Sequence, residues 1–126
     1  MDLSIIVPIY NEYGNLEPLH AEISAAALAL GKDYEVVYID DGSTDGSAEL
    51  LRSIHASDDR VRVIFFRRNF GQTAALSAGF GACTGEVVVT MDGDRQNDPA
   101  DMARLLAKLD EGYDLAVRIG RLTSSS

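Results

Sequence analysis

Short apolar runs rich in Val, Ile and Tyr recur at 3–10, 34–40, 61–66, 86–91 and 113–117. Segments with helical periodicity separate them, and four of the runs end in polar clusters, "PIYNE", "DDGSTDGS", "RRNFG" and "DGDRQNDP". Alternation of this kind builds parallel βαβ units. The predicted class is therefore α/β: a Rossmann-like open, mainly parallel sheet with helices on both faces. In such a sheet all four polar clusters leave at one carboxyl edge, which is where open α/β sheets bind ligands.

Taken in order, "LSIIVPIY" (3–10) reads as the first strand. It is followed by a helix to about residue 30 in which Leu16, Leu19, Ile23, Ala27 and Leu30 recur at helical spacing and share a face, with Gly31 as its stop. "YEVVYID" (34–40) is the second strand, and small polar capping residues lead into a helix carrying Leu50, Leu51 and Ile54. "VRVIFF" (61–66) is the third. The helix from Gln72 to about Ala82 is faced with Ala74, Ala75, Ala78 and Gly79, small enough to let its backbone lie close to a sheet. "EVVVTM" is the fourth strand, Pro99 opens a helix bearing Met102, Leu105, Leu106 and Leu109, and "YDLAV" (113–117) is the fifth strand. Residues 1–118 form one expected domain and 119–126 a short polar tail.

Composition limits the partners. At 126 residues and 46% hydrophobic the chain suits one compact domain. Its net charge of -9 opposes a nucleic-acid or anionic-membrane surface, which needs basic patches to displace counterions. An anionic ligand would have to be held locally, by a metal, backbone amides or a few arginines. Cys83 is the single cysteine, so no internal disulfide forms and a reducing compartment is expected; a small helix residue is its plainest role. No apolar run approaches the roughly 18 residues that span a bilayer, and the start lacks the features of an export signal.

Asp92 and Asp94, one residue apart on a turn leaving a strand, can converge on a hard divalent cation, and Gln96 can add a neutral carbonyl. The same residues also suit a turn cap and a solvated loop. Their company narrows the choice. "IIVPIYNE", "YIDDGSTDGS", "RRNFGQTAALSAGF" and "VVVTMDGDRQNDPADM", in this order and spacing, resemble the nucleotide-binding half of family 2 glycosyltransferases, in the dolichol-phosphate mannosyltransferase-like and bactoprenol glucosyltransferase-like branch. The resemblance runs from residue 3 to about 115. It implies a GT-A fold that binds a nucleotide diphosphate sugar with Mg²⁺ or Mn²⁺ and transfers the sugar with inversion, often to a polyprenyl phosphate. In full-length relatives that places the protein in the cytoplasm, at the inner face of the membrane.

The resemblance also implies residue roles. Pro8, Tyr10 and Glu12 match positions that hold the base and ribose. Asp41 matches an acceptor for a ring nitrogen of the base, with Ile39 packing beside it and Asp40 orienting the loop. Arg68 matches a basic position near the nucleotide, Asp92 and Asp94 the pair that meets metal and diphosphate, and Gln96 a position used for metal or sugar phosphate. Arg95 stands where many relatives carry leucine, and "AVRIGRLTSSS" departs from the glycine, aromatic and basic residues that follow the fifth strand in relatives. That departure reads as a donor-binding half without its acceptor half, so no catalytic base is assigned; His20 and His55 read as helix-surface residues.

Three alternatives stay open. One is a non-catalytic nucleotide-sugar-binding fragment. Another is a response-regulator receiver, although its acidic pair would follow the first strand and Lys108 here lies within an expected helix. A dinucleotide module is opposed by "GFGACTG", which misses the required glycine spacing and follows a helix. Uridine and guanosine donors both fit.

Overall fold

The computed structural model describes residues 1–91 in full and the backbone of 116–118 and 121–125. The elements in chain order are β1 (Leu3–Ile9), α1 (Tyr13–Ala29), β2 (Tyr34–Asp40), α2 (Ser47–Ser57), β3 (Val61–Phe65), α3 (Gln72–Ala82), β4 (Val87–Thr90), β5 (Ala116–Arg118) and β6 (Arg121–Ser125). They form one sheet of order β3-β2-β1-β4-β5-β6, parallel except for the antiparallel β5–β6 pair. The α/β, mainly parallel architecture is the expected one.

The course of the chain explains which helix covers which face. β1, β2 and β3 step outward in one direction, so right-handed crossovers put α1 and α2 on the same face. The chain then returns past β1 to β4, and the reversed step puts α3 on the other face. Two cores result. On the first face Leu16, Leu19 and Ile23 of α1 and Leu51 and Ile54 of α2 pack on Ile5, Val7, Val36 and Tyr38. On the second, Ala75 packs on Ile6, Val37 and Ile39. Full burial of one such aliphatic side chain stabilises by about 1.5–3 kcal/mol.

Small residues bring α3 down onto the sheet, as its sequence suggested. A Cβ added at Gly79 would lie 2.5 Å from Ile6 Cγ2 and 3.0 Å from Ile39 Cδ1. Ala75 and Gly79 carry the buried stripe, while Ala74 and Ala78 flank it half-buried. Cys83, just past α3, is half-buried, and desolvation pushes its thiol above the usual range.

At the amino edge of the sheet, Glu35 is buried and its carboxylate draws in four donors from three residues. Ser4 Oγ (2.6 Å), Arg62 Nη1 (3.0 Å), the Thr84 amide (2.7 Å) and Thr84 Oγ1 (3.0 Å) all donate to it. Burial alone would raise its pKa, but these donors outweigh burial and hold it at about 2. One residue therefore ties β1, β2, β3 and the α3–β4 connection together.

Two sequence readings are revised. His20 is not a helix-surface residue: its ring lies against the sheet, Nδ1 2.7 Å from the Tyr38 hydroxyl and Nε2 3.0 Å from Asp58 Oδ2. The buried Tyr38 needed a polar partner at its hydroxyl, and burial, then the Asp58 charge, pushes that phenol well above its ordinary pKa. The second revision concerns 121–125, where polar composition suggested a tail; the backbone pairs as β6 beside β5. The helix expected after Pro99 lies outside the described residues, as does the start of the expected fifth strand.

Candidate functional site

The sheet's topological switch point falls between β1 and β4, because the chain leaves β1 toward β2 on one side and reaches β4 on the other. Pro8 opens it. The β1–β4 ladder ends at Ile6↔Thr90, with the Met91 amide donating to the Ile6 carbonyl at 2.9 Å. Strand alternation turns Pro8 to the same side as Ile6, and its nitrogen carries no proton to continue the ladder. Among the described residues the β1–β4 pairing therefore stops at the switch point.

Loops along this carboxyl edge bond to one another. Asn11, in the left-handed region at φ 53°, donates its amide to Ser43 Oγ at 2.9 Å and accepts the Thr44 amide on Oδ1 at 2.7 Å. Asparagine tolerates that backbone better than most residues. The Glu12 amide donates to Ser47 Oγ (3.2 Å) and the Tyr13 amide to Asp45 Oδ2 (3.2 Å), so side chains of the β2–α2 loop satisfy amides at the start of α1. Desolvation opposes ionisation of Asp45, but bonds from the Ser47 hydroxyl and the Tyr13 and Ser47 amides prevail and keep its carboxyl below the usual carboxylate range.

The third loop hangs on Asp41. This buried carboxylate accepts the Phe70 amide at 2.7 Å, the Gly71 amide at 3.0 Å and Asn69 Nδ2 at 3.1 Å. Its charge thereby sits beside the start of α3, where the helix dipole favours an anion. Next to it, Gly42 has φ 76°, and a Cβ there would stand 2.3 Å from the Arg68 carbonyl carbon. Only glycine permits so close an approach. The "DDGS" and "RRNFG" segments are thus one unit.

Among the expected site residues, Pro8, Tyr10, Glu12, Asp41 and Arg68 gather at this edge. Tyr10 is half exposed, and Glu12 accepts Asn15 Nδ2 at 2.7 Å. Asp40 is buried and accepts the Ser43 amide at 3.3 Å, which orients the loop as expected. Asp41 spends three of its roughly four acceptor positions within the chain. Ile39 has no exposed surface and supports the edge from within the α3-side core. Arg68 lies 4.7 Å above the ring of Phe70. Asp92, Asp94 and Gln96 lie outside the described residues; Asp92 follows Met91 in sequence. Among the described residues no cluster of three metal-ligating side chains occurs.

Sequence reasoning did not single out Asn11, Asn69 or Phe70. An asparagine directly after a strand, in "YNE", was the available signal for Asn11. Asn69 and Phe70 meet Asp41 only across 28 and 29 residues of chain, which local pattern does not reveal.

Comparison with known proteins agrees with this geometry. A family model described as glycosyl transferase family 2 matches residues 4–123. The crystal structure of S. aureus TarS 1-349 superposes with TM-score 0.72 at 24% identity, covering 88% of this chain and 33% of the TarS 1-349 chain, and the same fragment was solved in complex with UDP-GlcNAc. The mannosyltransferase PcManGT from Pyrobaculum calidifontis, solved with GDP-Man and Mn²⁺, superposes with TM-score 0.68 at 26% identity over 82% of this chain and 31% of its own. The chain thus spans about a third of the length of these two solved chains and 20% of the longer TarS chain. With residues 4–123 of the chain's 126 matched by the family model, the chain belongs to glycosyl transferase family 2.

Proposed function

We propose that this chain supplies the donor-binding half of a metal-dependent, inverting glycosyltransferase that takes a sugar from a UDP- or GDP-linked donor. The observation that carries the reading is the set of three loops, after β1, β2 and β3, bonded together beside the switch point where Pro8 stops the ladder. Tyr10 offers an exposed ring to a base, Glu12 an acceptor for ribose hydroxyls, and Asp41 its remaining acceptor position to a ring nitrogen.

Asp92, Asp94 and Gln96 offer oxygen donors of the kind Mg²⁺ and Mn²⁺ accept, and they follow the end of β4 closely in sequence. A cation held there would neutralise charge growing on the departing diphosphate. The chain's own part is to hold the base and ribose still while that charge develops. Polyprenyl phosphate as acceptor, with the whole protein at the cytoplasmic face of a membrane, is the extension that the branch resemblance favours. Among the described residues no helix is long and apolar enough to cross a membrane.

Calorimetric titration of UDP-sugars and GDP-sugars, in Mn²⁺ and in chelator, tests the reading. One donor class should bind, more tightly with metal, and Asp94→Ala should remove most of that metal dependence. Absence of binding by either class in Mn²⁺ would overturn it. A radiolabelled-donor assay with polyprenyl phosphate separates transfer from binding alone.

A further inference from the structure

The far side of the sheet carries a feature that donor binding does not use. β3 is an edge strand. Its ladder with β2 is made by even-numbered residues, as the Arg60 carbonyl accepting from Val36 and the Phe66 amide donating to Asp40 show. The odd residues Val61, Val63 and Phe65 therefore direct their main-chain groups outward. The chain satisfies the first of them: the Val61 amide donates to the Asp58 carbonyl at 3.1 Å, and His55 Nδ1 donates to the Val61 carbonyl at 2.7 Å. Among the described residues nothing meets the amides and carbonyls of Val63 and Phe65.

An open pocket of about 340 Å³ lies at that stretch, lined by Arg52, His55, Arg62, Val63 and Phe65. The charge around it is unusual for this molecule. Residues 1–91 contain six lysines and arginines, and five of them, Arg52, Arg60, Arg62, Arg67 and Arg68, fall between positions 52 and 68. Glu49, Asp58 and Asp59 stand nearby, but the Arg52–Glu49 approach is a loose 3.9 Å between exposed side chains. Arg52 lies 4.5 Å over the half-exposed ring of Phe65. Two of these arginines, Arg52 and Arg62, line the pocket itself, Arg62 with one nitrogen already on Glu35 at 3.0 Å.

We propose that the outer edge of β3 binds an extended acidic segment of a partner protein, which adds to the sheet as a strand on Val63 and Phe65 while its carboxylates meet the arginines. Strand addition takes its affinity from main-chain bonds and its selectivity from side chains. A second copy of the chain is a poorer occupant, since two arginine-rich edges would face each other.

The test follows the amides of the full chain by NMR as two blocked octapeptides, alternating Glu–Val and alternating Lys–Val, are added. The acidic peptide should shift the Val63 and Phe65 amides, and added salt should weaken it. Val63→Pro removes an outward amide that the β2 ladder does not use, and edge strands tolerate proline; it should cut affinity about tenfold, the scale expected when main-chain pairing provides the binding. Arg52→Glu, on an exposed helix position, should weaken the acidic peptide and spare the fold should Val63→Pro not fold. Equal binding of the two peptides, unchanged affinity in Arg52→Glu, or an edge blocked by self-association in sedimentation would overturn the proposal.

Discussion

Two carboxylates, at opposite ends of the same strand, show how differently one chemical device is used. Glu35, at the amino end of β2, and Asp41, just past its carboxyl end, are both buried, and both accept main-chain amides from the α3 region. Glu35 gathers hydroxyls, an arginine and an amide that belong to the sheet and its underside, so it fastens framework to framework. Asp41 gathers a loop, and every group it holds belongs to the "RNFG" segment at the carboxyl edge. The lesson is that burial of a charge does not itself mark a site. What distinguishes the two ends is whether the partners lie within the ladder or beyond it, next to half-exposed rings such as Tyr10 and Phe70.

The largest effect should come from the framework end. Glu35→Ala should cost about 3 kcal/mol in urea unfolding, since it leaves the Thr84 amide and Ser4 hydroxyl without their acceptor. Nucleotide affinity of the folded protein should not change. The same group makes stability depend on acid. Its folded pKa of about 2 lies below the ordinary glutamate value of 4.5, so its contribution is complete above pH 4.5 and disappears as pH falls toward 2. At 1.36 kcal/mol per unit this is again about 3 kcal/mol. Glu35→Gln should flatten that part of the acid-unfolding curve; an unaltered curve would show that the carboxylate is not what the acid titrates.

Gly42→Ala should come next, at about 2 kcal/mol, because a Cβ at positive φ must also push the Arg68 backbone away. Here, unlike at Glu35, nucleotide affinity should fall with stability, as calorimetry on the folded variant would show. Asp41→Asn should cost about 1–2 kcal/mol of stability, through weaker bonds to Phe70 and Gly71. It should weaken nucleotide binding while metal binding is retained. If affinity is kept although the loop amides exchange faster, Asp41 serves the loop and not the base. Tyr10→Ala should be the mildest for the fold, within about 0.5 kcal/mol for an exposed residue, yet it should weaken nucleotide binding measurably.

Much of this was legible beforehand, for identifiable reasons. β2 is bounded in the structure as its sequence reads, because "YEVVYID" is buried on both faces and ends at acidic turn residues. The limits of α3 were equally plain from its small-residue run. Glu35 was not legible as an anchor. One acid inside an apolar strand looks like a solvent-facing residue until Ser4, Arg62 and Thr84, 27 to 49 residues away, are brought to it. His20 escaped notice likewise, since helical spacing says where a ring sits but not that a buried phenol needs it. At the carboxyl edge, sequence order brought the polar clusters after β1, β2 and β3 together, whereas the bonding of Asn11 to Ser43 and of Asp41 to Phe70 depends on backbone geometry that no local pattern encodes.

The central position of β1 has a consequence for how the chain comes to be folded. Its partners on one side, Tyr34 to Asp40, arrive soon after it, but those on the other, Val87 to Thr90, come some 80 residues later. During synthesis, at about 5–20 residues per second, a β1–β2–β3 layer with α1 and α2 can assemble while the β4-facing edge of β1 stays open for seconds. That edge runs through Leu3 to Ile6, an apolar stretch able to pair with a wrong strand. Closure comes when the Gly85 amide reaches Ser4 Oγ and the Glu86 amide reaches the Met1 carbonyl. The strand at the centre of the sheet therefore waits some 80 residues for its second partner, and helper proteins that shield unpaired strands would matter most before residue 90 has emerged.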